Sequence, residues 1–255
     1  MDNNNDIIQV DNTNIGEEHI CCGFSDKKII PGYEAKKDWM REQFKNGYVF
    51  KKLNVRGKVF IDYIPAEKAW APIVAPGYMY IGCFWVSGRF KNNGHGKALL
   101  NECRKDAEKM NGIVAITGKK KLPFLSDKKF LLMQGFEVCD SANPHFELLV
   151  LRTNNNAPQP KFTEAAKLGE IDNKSGVAIY YTNICPFLPY YVEEMKETAE
   201  ELGISASVVK IESYEEAQKI HSPVALASVF FNGKFLTQEI MTKKKFSELL
   251  SNQTK

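Results

Sequence analysis

At 255 residues, with 44% hydrophobic and 25% charged residues, the chain has the make-up of a folded, water-soluble protein long enough for two domains. No apolar run reaches the length of a membrane span. The polar start, Met1-Asp-Asn-Asn-Asn-Asp6, lacks the basic and apolar regions of a signal peptide, so the cytoplasm is the expected compartment and no membrane partner is expected. The net charge of +3 is unevenly spread: residues 51–134 carry 16 Lys and Arg against 6 Asp and Glu, a local +10, while residues 153–255 carry 11 against 13, a local −2.

A basic half suits an anionic ligand. The runs Lys119-Lys120-Lys121 and Lys243-Lys244-Lys245 are short and lack interleaved aromatics; they read as solvated surface, and no nucleic-acid partner is expected. The cysteines at 21, 22, 83, 103, 139 and 185 show no metal-ligand spacing, so no metal is expected and most of the thiols read as reduced and buried.

In chain order, a polar, Asn-rich start carries a short strand at Ile7 to Val10. The pattern then predicts a helix over Glu34 to Lys45, with Trp39 and Phe44 inward, and strands Tyr48 to Val55 and Lys58 to Ile64 joined at Arg56-Gly57. Pro65 to Pro76 is too irregular for either element. Strand Tyr78 to Val86 is almost wholly apolar, as a strand covered on both faces would be. A helix over Lys97 to Met110 shows one apolar stripe and ends at the C-cap signal Asn111-Gly112. Strand Ile113 to Ile116, a helix of about Asp127 to Gln134, and strands Phe136 to Cys139 and Phe146 to Leu151 follow, with a turn at Asn143-Pro144 between the last two.

The junction Val86-Ser-Gly-Arg-Phe-Lys-Asn-Asn-Gly-His-Gly-Lys97 is the most informative stretch. Glycines between a strand and a helix let the backbone approach a ligand closely. The amides opening the helix, with the dipole behind them, favour negative charge. For two glycines alone, an ordinary strand-to-helix turn accounts for the pattern equally well.

The spacing Lys91-Asn92-Asn93-Gly94-His95-Gly96 resembles motif A of the GNAT superfamily of acetyl-CoA-dependent N-acetyltransferases, with Lys91 where that family usually has Gln or Arg. Leu132-Met-Gln-Gly-Phe-Glu-Val138 resembles its Gly-Phe signature. The resemblance covers roughly residues 45 to 152 and implies a mixed α/β sheet flanked by helices. It also implies acetyl-CoA as cosubstrate, an amine as acceptor, and direct attack of the amine on the thioester. On the same basis the strand ending at Val86 splays from its neighbour and binds the pantetheine arm, an N–H near Val86 meets the oxyanion, and the amides of Asn93, Gly94, His95, Gly96 and Lys97 receive the pyrophosphate. The family's general acid is often a tyrosine four residues before the Gly-Phe pair, where this chain has Leu131. Asp62, Glu67 and His145 are candidates for the base, each also readable as an ordinary surface or loop residue; the catalytic residues stay open.

Thr153-Asn-Asn-Asn-Ala-Pro-Gln-Pro160 is the clearest linker, giving a first domain over 1–152, a linker over 153–162 and a second domain over 163–255. The second reads as strand Val177 to Tyr181, a helix from Pro186 to about Leu202, strand Ala206 to Ile211 and helix Tyr214 to Ile220. A hairpin turning at Asn232-Gly233 and a last helix over Thr242 to Ser251 complete it. This order resembles a thioredoxin-like or glutaredoxin-like fold. Cys185-Pro186-Phe187-Leu188 resembles a glutaredoxin Cys-Pro-Tyr-Cys motif whose second cysteine is leucine, and Pro223 is the one candidate for that fold's cis-proline. A thiol at a helix start can be a nucleophile, so Cys185 is read either as reactive or ligand-binding or as a remnant of the fold. The two-domain order resembles the YoaP-type acetyltransferases. Two readings stay open: an N-acetyltransferase acting on a small-molecule or peptide amine, or a CoA-binding regulatory or thiol-dependent binding protein with weak or no transfer.

Overall fold

The computed structural model describes residues 6–21, 23–24, 26–172 and 175–253; Cys22 and the first five residues, on which the sequence reading also drew, lie outside the described residues. The early elements are β1 (Ile7–Val10), α1 (Ile30–Phe44), β2 (Val49–Leu53), β3 (Val59–Pro65), β4 (Ile73–Val74) and β5 (Tyr78–Val86). Then come α2 (His95–Asp106), β6 (Gly112–Gly118), α3 (Lys128–Met133), β7 (Glu137–Ala142), β8 (Phe146–Arg152) and β9 (Lys161–Phe162). The remainder holds α4 (Glu164–Leu168), β10 (Val177–Tyr181), α5 (Leu188–Glu201), β11 (Ala206–Lys210), α6 (Tyr214–Lys219), β12 (Ala227–Phe231), β13 (Lys234–Thr237) and α7 (Lys243–Ser251). No helix among the described residues is long and apolar enough to cross a membrane.

The chain divides into two compact units that do not follow chain order. The first holds the residues up to Phe24, Met40–Ala69 and Ile73–Phe162; the second holds 26–39, Trp70–Pro72 and the described chain from Thr163 onward.

The first unit is built on a mixed sheet in the order β1-β2-β3-β5-β6-β8-β7. Its one parallel contact among the described residues is β5 with β6, joined by the crossover through α2. On one face Val59, Ile61 and Tyr63 of β3 and Met79 and Ile81 of β5 pack against Leu99, Leu100 and Cys103 of α2 and Leu131 of α3. Period-2 alternation on the strands meets a helical stripe, and each fully buried leucine contributes about 1.5–3 kcal/mol.

Two differences from the sequence pattern in this unit have physical causes. Helix α2 ends at Asp106, not at Asn111-Gly112. Ala107 is still buried, and Gly112 opens β6 with φ 145°, where a Cβ would overlap the Leu151 carbonyl. Strand β5 is well covered only in its first half: beyond Ile81 both Gly82 and Trp85 are exposed, Trp85 41% accessible, while Cys83, Phe84 and Val86 are half-buried. Residues 153–162, the expected linker, are tied down by hydrogen bonds and a short strand. The Thr153 hydroxyl donates to the Met110 carbonyl, Gln159 donates to the Cys139 carbonyl, and Lys161–Phe162 forms β9 beside β4.

A partly buried polar cluster around the buried Lys52 pins the N-terminal segment to β2. Lys52 Nζ donates to Glu18 at 2.7 Å and lies 3.1 Å from His19 Nδ1, while His19 Nε2 is 3.1 Å from the Gly57 carbonyl. Burial, and behind it the Lys52 charge, lowers the His19 pKa from 6.5. The unfolded chain therefore takes up this proton first as pH falls. The contribution of His19 is full above about pH 6.5 and is lost on acidification below it. The melting temperature should drop between pH 7.5 and 5.5, and His19→Gln should flatten that slope.

The second unit has its own sheet, ordered β11-β10-β12-β13, with β10 parallel to β11 and antiparallel to β12, and β12 antiparallel to β13. Val192, Met195 and Ala199 of α5 and Phe246 and Leu250 of α7 pack on Val177, Ile179 and Val229. Trp39 meets Trp70 edge-on, their rings 5.6 Å apart, in a second cluster with Ile211, Ala217 and Ile220.

Helix α5 begins at Leu188, two residues after the expected start at Pro186. A helix from Pro186 would need the Pro189 nitrogen as a donor, which proline lacks; starting at Leu188 puts Pro189 in the first turn, where no donor is needed. Asn143-Pro144 is the cis peptide of the described chain; the bond before Pro223 is trans, so Pro223 is not the cis-proline the glutaredoxin comparison asks for.

Candidate functional site

The parallel strands β5 and β6 pair from Tyr78 with Gly112 to Ile81 with Ala115, and there the ladder stops. Strand β6 goes on pairing with β8 as far as Gly118 with Phe146, and β5 goes on pairing with β3 as far as Val86 with Val59. The last residues of β5 and β6 thus diverge, and each keeps an unpaired strand edge toward the gap. Such edges are ready to pair with an extended ligand.

The opening begins at a bulge. Ile61 faces Phe84 and Tyr63 faces Ile81, so Gly82 and Cys83 together oppose the single residue Asp62. Asp62 is 2% exposed, and its Oδ1 accepts the Cys83 N–H at 2.8 Å. The buried Tyr48 hydroxyl lies against the same carboxylate. Burial first, and then the charge of Asp62, pushes the pKa of Tyr48 well up and keeps it protonated; burial does the same to Tyr80, two residues before Gly82 on β5.

From Val86, the last residue of β5, the chain passes through a single 3-10 turn at Gly88–Phe90 into the loop ahead of α2. Positive φ values recur there, at Gly88 (53°), Asn92 (62°) and Gly94 (80°). Lys91, Asn92 and Asn93 are exposed, and Asn93 Nδ2 donates to the Arg89 carbonyl. Gly94 is the N-cap and offers no capping side chain, so the amides of His95, Gly96 and Lys97 open the helix with neither an intrahelical nor a side-chain acceptor. The His95 ring stands edge-on to Phe90.

The two glycines do different work. At Gly94 a Cβ would meet nothing within 4 Å, and the left-handed φ is what calls for glycine. At Gly96 a Cβ would lie 3.2 Å from Phe130 of α3 and 3.8 Å from Val86, so glycine here brings the helix start close to both. Val86, Lys91, Asn92, Asn93, Gly94, His95, Gly96 and Lys97 therefore form one continuous turn at the open end of β5.

Leu131, where the resemblance looks for a tyrosine, is fully buried in the core and offers no hydroxyl. The residue of α3 that reaches toward the turn is Phe130, edge-on to Phe84 at 5.3 Å. Among the candidate bases, Asp62 is engaged at the bulge. Glu67 is exposed, and its Oε1 accepts the Gly77 N–H. His145 follows the turn at Asn143-Pro144, its ring stacked 4.9 Å from Phe146, the residue opposite the end of β6. Sequence reasoning missed Gly82 and Phe130. Gly82 had a signal: a glycine inside an apolar strand marks a bulge or a close approach.

Cys185 lies in the second unit, half-buried, its carbonyl accepting the Leu188 N–H in the turn ahead of α5. It precedes the helix rather than opening it. A Cβ on Gly32 would overlap the Pro186 carbonyl, so α1 passes close over this turn. Burial pushes the Cys139 thiol up to about 11 and that of Cys103 higher still, so both are poor nucleophiles.

A divergent parallel pair whose first strand feeds an uncapped, glycine-opened helix is an arrangement suited to group transfer from a phosphate-bearing donor. A protein from Bacillus subtilis (strain 168), "Uncharacterized N-acetyltransferase YoaP", is 45% identical over 246 residues, covering 96% of this chain and 98% of its own. Residues 206–248 match the YoaP-like family model. The chain belongs to the YoaP-like family of acyltransferases. Among solved structures, it is similar to the PaiA N-acetyltransferase from Thermoplasma acidophilum in complex with coenzyme A. That likeness has 12% identity, a TM-score of 0.39, and covers 56% of this chain and 98% of that one. A GNAT family acetyltransferase from Brucella melitensis in complex with acetyl-CoA is similar at 12% identity and a TM-score of 0.38, over 62% and 96%. Neither of these two likenesses decides anything further.

Proposed function

We propose that this chain transfers the acetyl group of acetyl-CoA to an amine by direct attack. The observation that carries the reading is the divergence of β5 from β6 beside the uncapped start of α2. The residues present suit the cosubstrate. The amides of Asn93 to Lys97, with the dipole of α2 behind them, take the pyrophosphate, and the absent side chain of Gly96 leaves room for it beside Phe130. The unpaired edge of β5 beyond Ile81 pairs with the pantetheine amides, and an N–H near Val86 meets the developing oxyanion, where a fixed donor helps most. Acetyl-CoA supplies an activated acyl group with a thiolate leaving group.

The rest follows from which side chains can move a proton. A base must take one from the acceptor's ammonium, directly or through water, before the neutral nitrogen can attack. The Glu67 carboxylate is bonded to the Gly77 N–H, at the end of β5 away from the gap, which leaves His145, beside the end of β6, as the candidate for the base. Neither Leu131 nor Phe130 can protonate the departing thiolate. A thiol of ordinary acidity leaves as the anion near neutral pH, so no acid is required. We read the second unit as thioredoxin-like on its strand order and directions, with Cys185 outside the transfer chemistry. The acceptor is a small-molecule or peptide amine.

Pure protein is assayed against a panel of amines, reading release of free CoA thiol. Acetyl-CoA consumption dependent on one class of amine supports the reading; amine-independent release alone, or none across small amines and peptide N-termini, contradicts it. Cys185→Ser should leave turnover within about twofold, whereas a loss of about tenfold or more would return the thiol to the mechanism.

A further inference from the structure

The bulge at the head of the opening is held by a side chain rather than by the sheet. In an antiparallel ladder the extra residue of a bulge leaves an amide without its ladder acceptor. Here that amide is Cys83 N–H, and the acceptor is Asp62 Oδ1, 2.8 Å away on the neighbouring strand and almost wholly buried. Burying a carboxylate between strands is costly unless its oxygens are bonded. The Cys83 amide supplies that bond to Oδ1, and the buried Tyr48 hydroxyl lies against the same carboxylate. Gly82 completes the fit, because a Cβ at 82 would overlap the same Asp62 Oδ1.

The bulge also falls where β5 leaves β6: the last parallel pair is Ile81 with Ala115, one residue before Gly82. Whatever fixes the bulge fixes the direction of Cys83 to Val86, the segment that borders the gap.

We infer that Asp62 is a positioning residue: it accepts the Cys83 amide, locks the Gly82–Cys83 bulge and so aims the end of β5 at the acyl group. This rests on the transferase reading for its effect on turnover, but not for its effect on the bulge. It assigns Asp62 to holding the strand rather than to taking the substrate's proton. An uncharged acceptor of the same shape can therefore do most of its work.

Two readouts on the full chain separate these claims. With acetyl-CoA and the fastest amine of the panel, Asp62→Ala should lower kcat about 100-fold, the scale of a misaimed reacting group, and leave the KM for acetyl-CoA within about threefold. Asp62→Asn, which keeps the acceptor oxygen, should restore most of that loss. Gly82→Ala, which leaves the carboxylate in place but crowds it, should reproduce the loss. Adding Gly82→Ala to Asp62→Ala should cost little more, since the methyl then has room.

Independently of turnover, hydrogen exchange at the Cys83 amide should accelerate in Asp62→Ala and Gly82→Ala and stay slow in Asp62→Asn. Unchanged exchange in Asp62→Ala overturns the positioning claim whether or not any amine reacts. An Asp62→Asn variant as slow in turnover as Asp62→Ala, with its Cys83 amide still protected, also overturns it and makes the carboxylate's charge the working group. A wild-type protein that binds no acetyl-CoA overturns the transferase reading and leaves the exchange result to judge the bulge.

Discussion

Replacing Gly96 by valine is expected to weaken acetyl-CoA binding by about 100-fold or more, close to 2.7 kcal/mol, in a protein that still folds. A Cβ at 96 would sit 3.2 Å from Phe130, tighter than comfortable contact, and the two further methyls of valine must go toward Phe130 and Val86 or into the space offered to the ligand. Both directions damage the same feature, because the helix start is shifted from β5 or its amides are covered. Gly94 makes the control. Gly94→Ala meets no atom within 4 Å but must hold φ at 80° with a side chain, which costs about 1–2 kcal/mol. It should lower stability by about that much without blocking the approach to the amides. Calorimetric titration of the variants beside thermal melts separates the two effects. Equal affinity in Gly96→Val and wild type would place the ligand elsewhere.

The second large effect concerns Leu131. A tyrosine installed there, at the position the family resemblance points to, is expected to destabilise the protein by about 2–4 kcal/mol and not to accelerate transfer. Leu131 is fully buried among Leu99, Leu100 and Phe136, so the hydroxyl would be driven into an apolar core. Chemical denaturation of Leu131→Tyr, with turnover measured on the same sample, reads both. A gain in kcat with unchanged stability would mean that α3 can turn this residue toward the gap.

Much of the architecture was legible in local chemistry, and the departures have identifiable causes. The boundaries of β1, β5 and β10 are those their apolar runs predict, because a strand of fixed composition between turn residues leaves little choice. The glycine turn was legible because Gly94 and Gly96 do backbone work that no other residue does as well. The open half of β5 was not. Apolar residues facing a ligand gap and apolar residues facing a core read alike in sequence, so Trp85 gave no sign of its exposure. The end of α2 was misplaced because Gly112 suggested a helix cap, when its role is close passage of β6 past β8. Asp62 could be noticed as an acid within an apolar strand, but its function depends on register. Only the pairing of β3 with β5 shows that it faces two residues instead of one. In the second unit the pattern could not see that Pro189, rather than Pro186, decides where α5 begins.

The central claim is that acetyl-CoA binds where β5 and β6 part and α2 starts. It is tested most directly by titrating the full chain with acetyl-CoA, following backbone amide signals by NMR. The expected result is saturable one-to-one binding, with the largest shifts at Gly82 to Val86 and at Asn93 to Lys97. Binding without movement of these signals, or no binding at millimolar acetyl-CoA, would contradict the account.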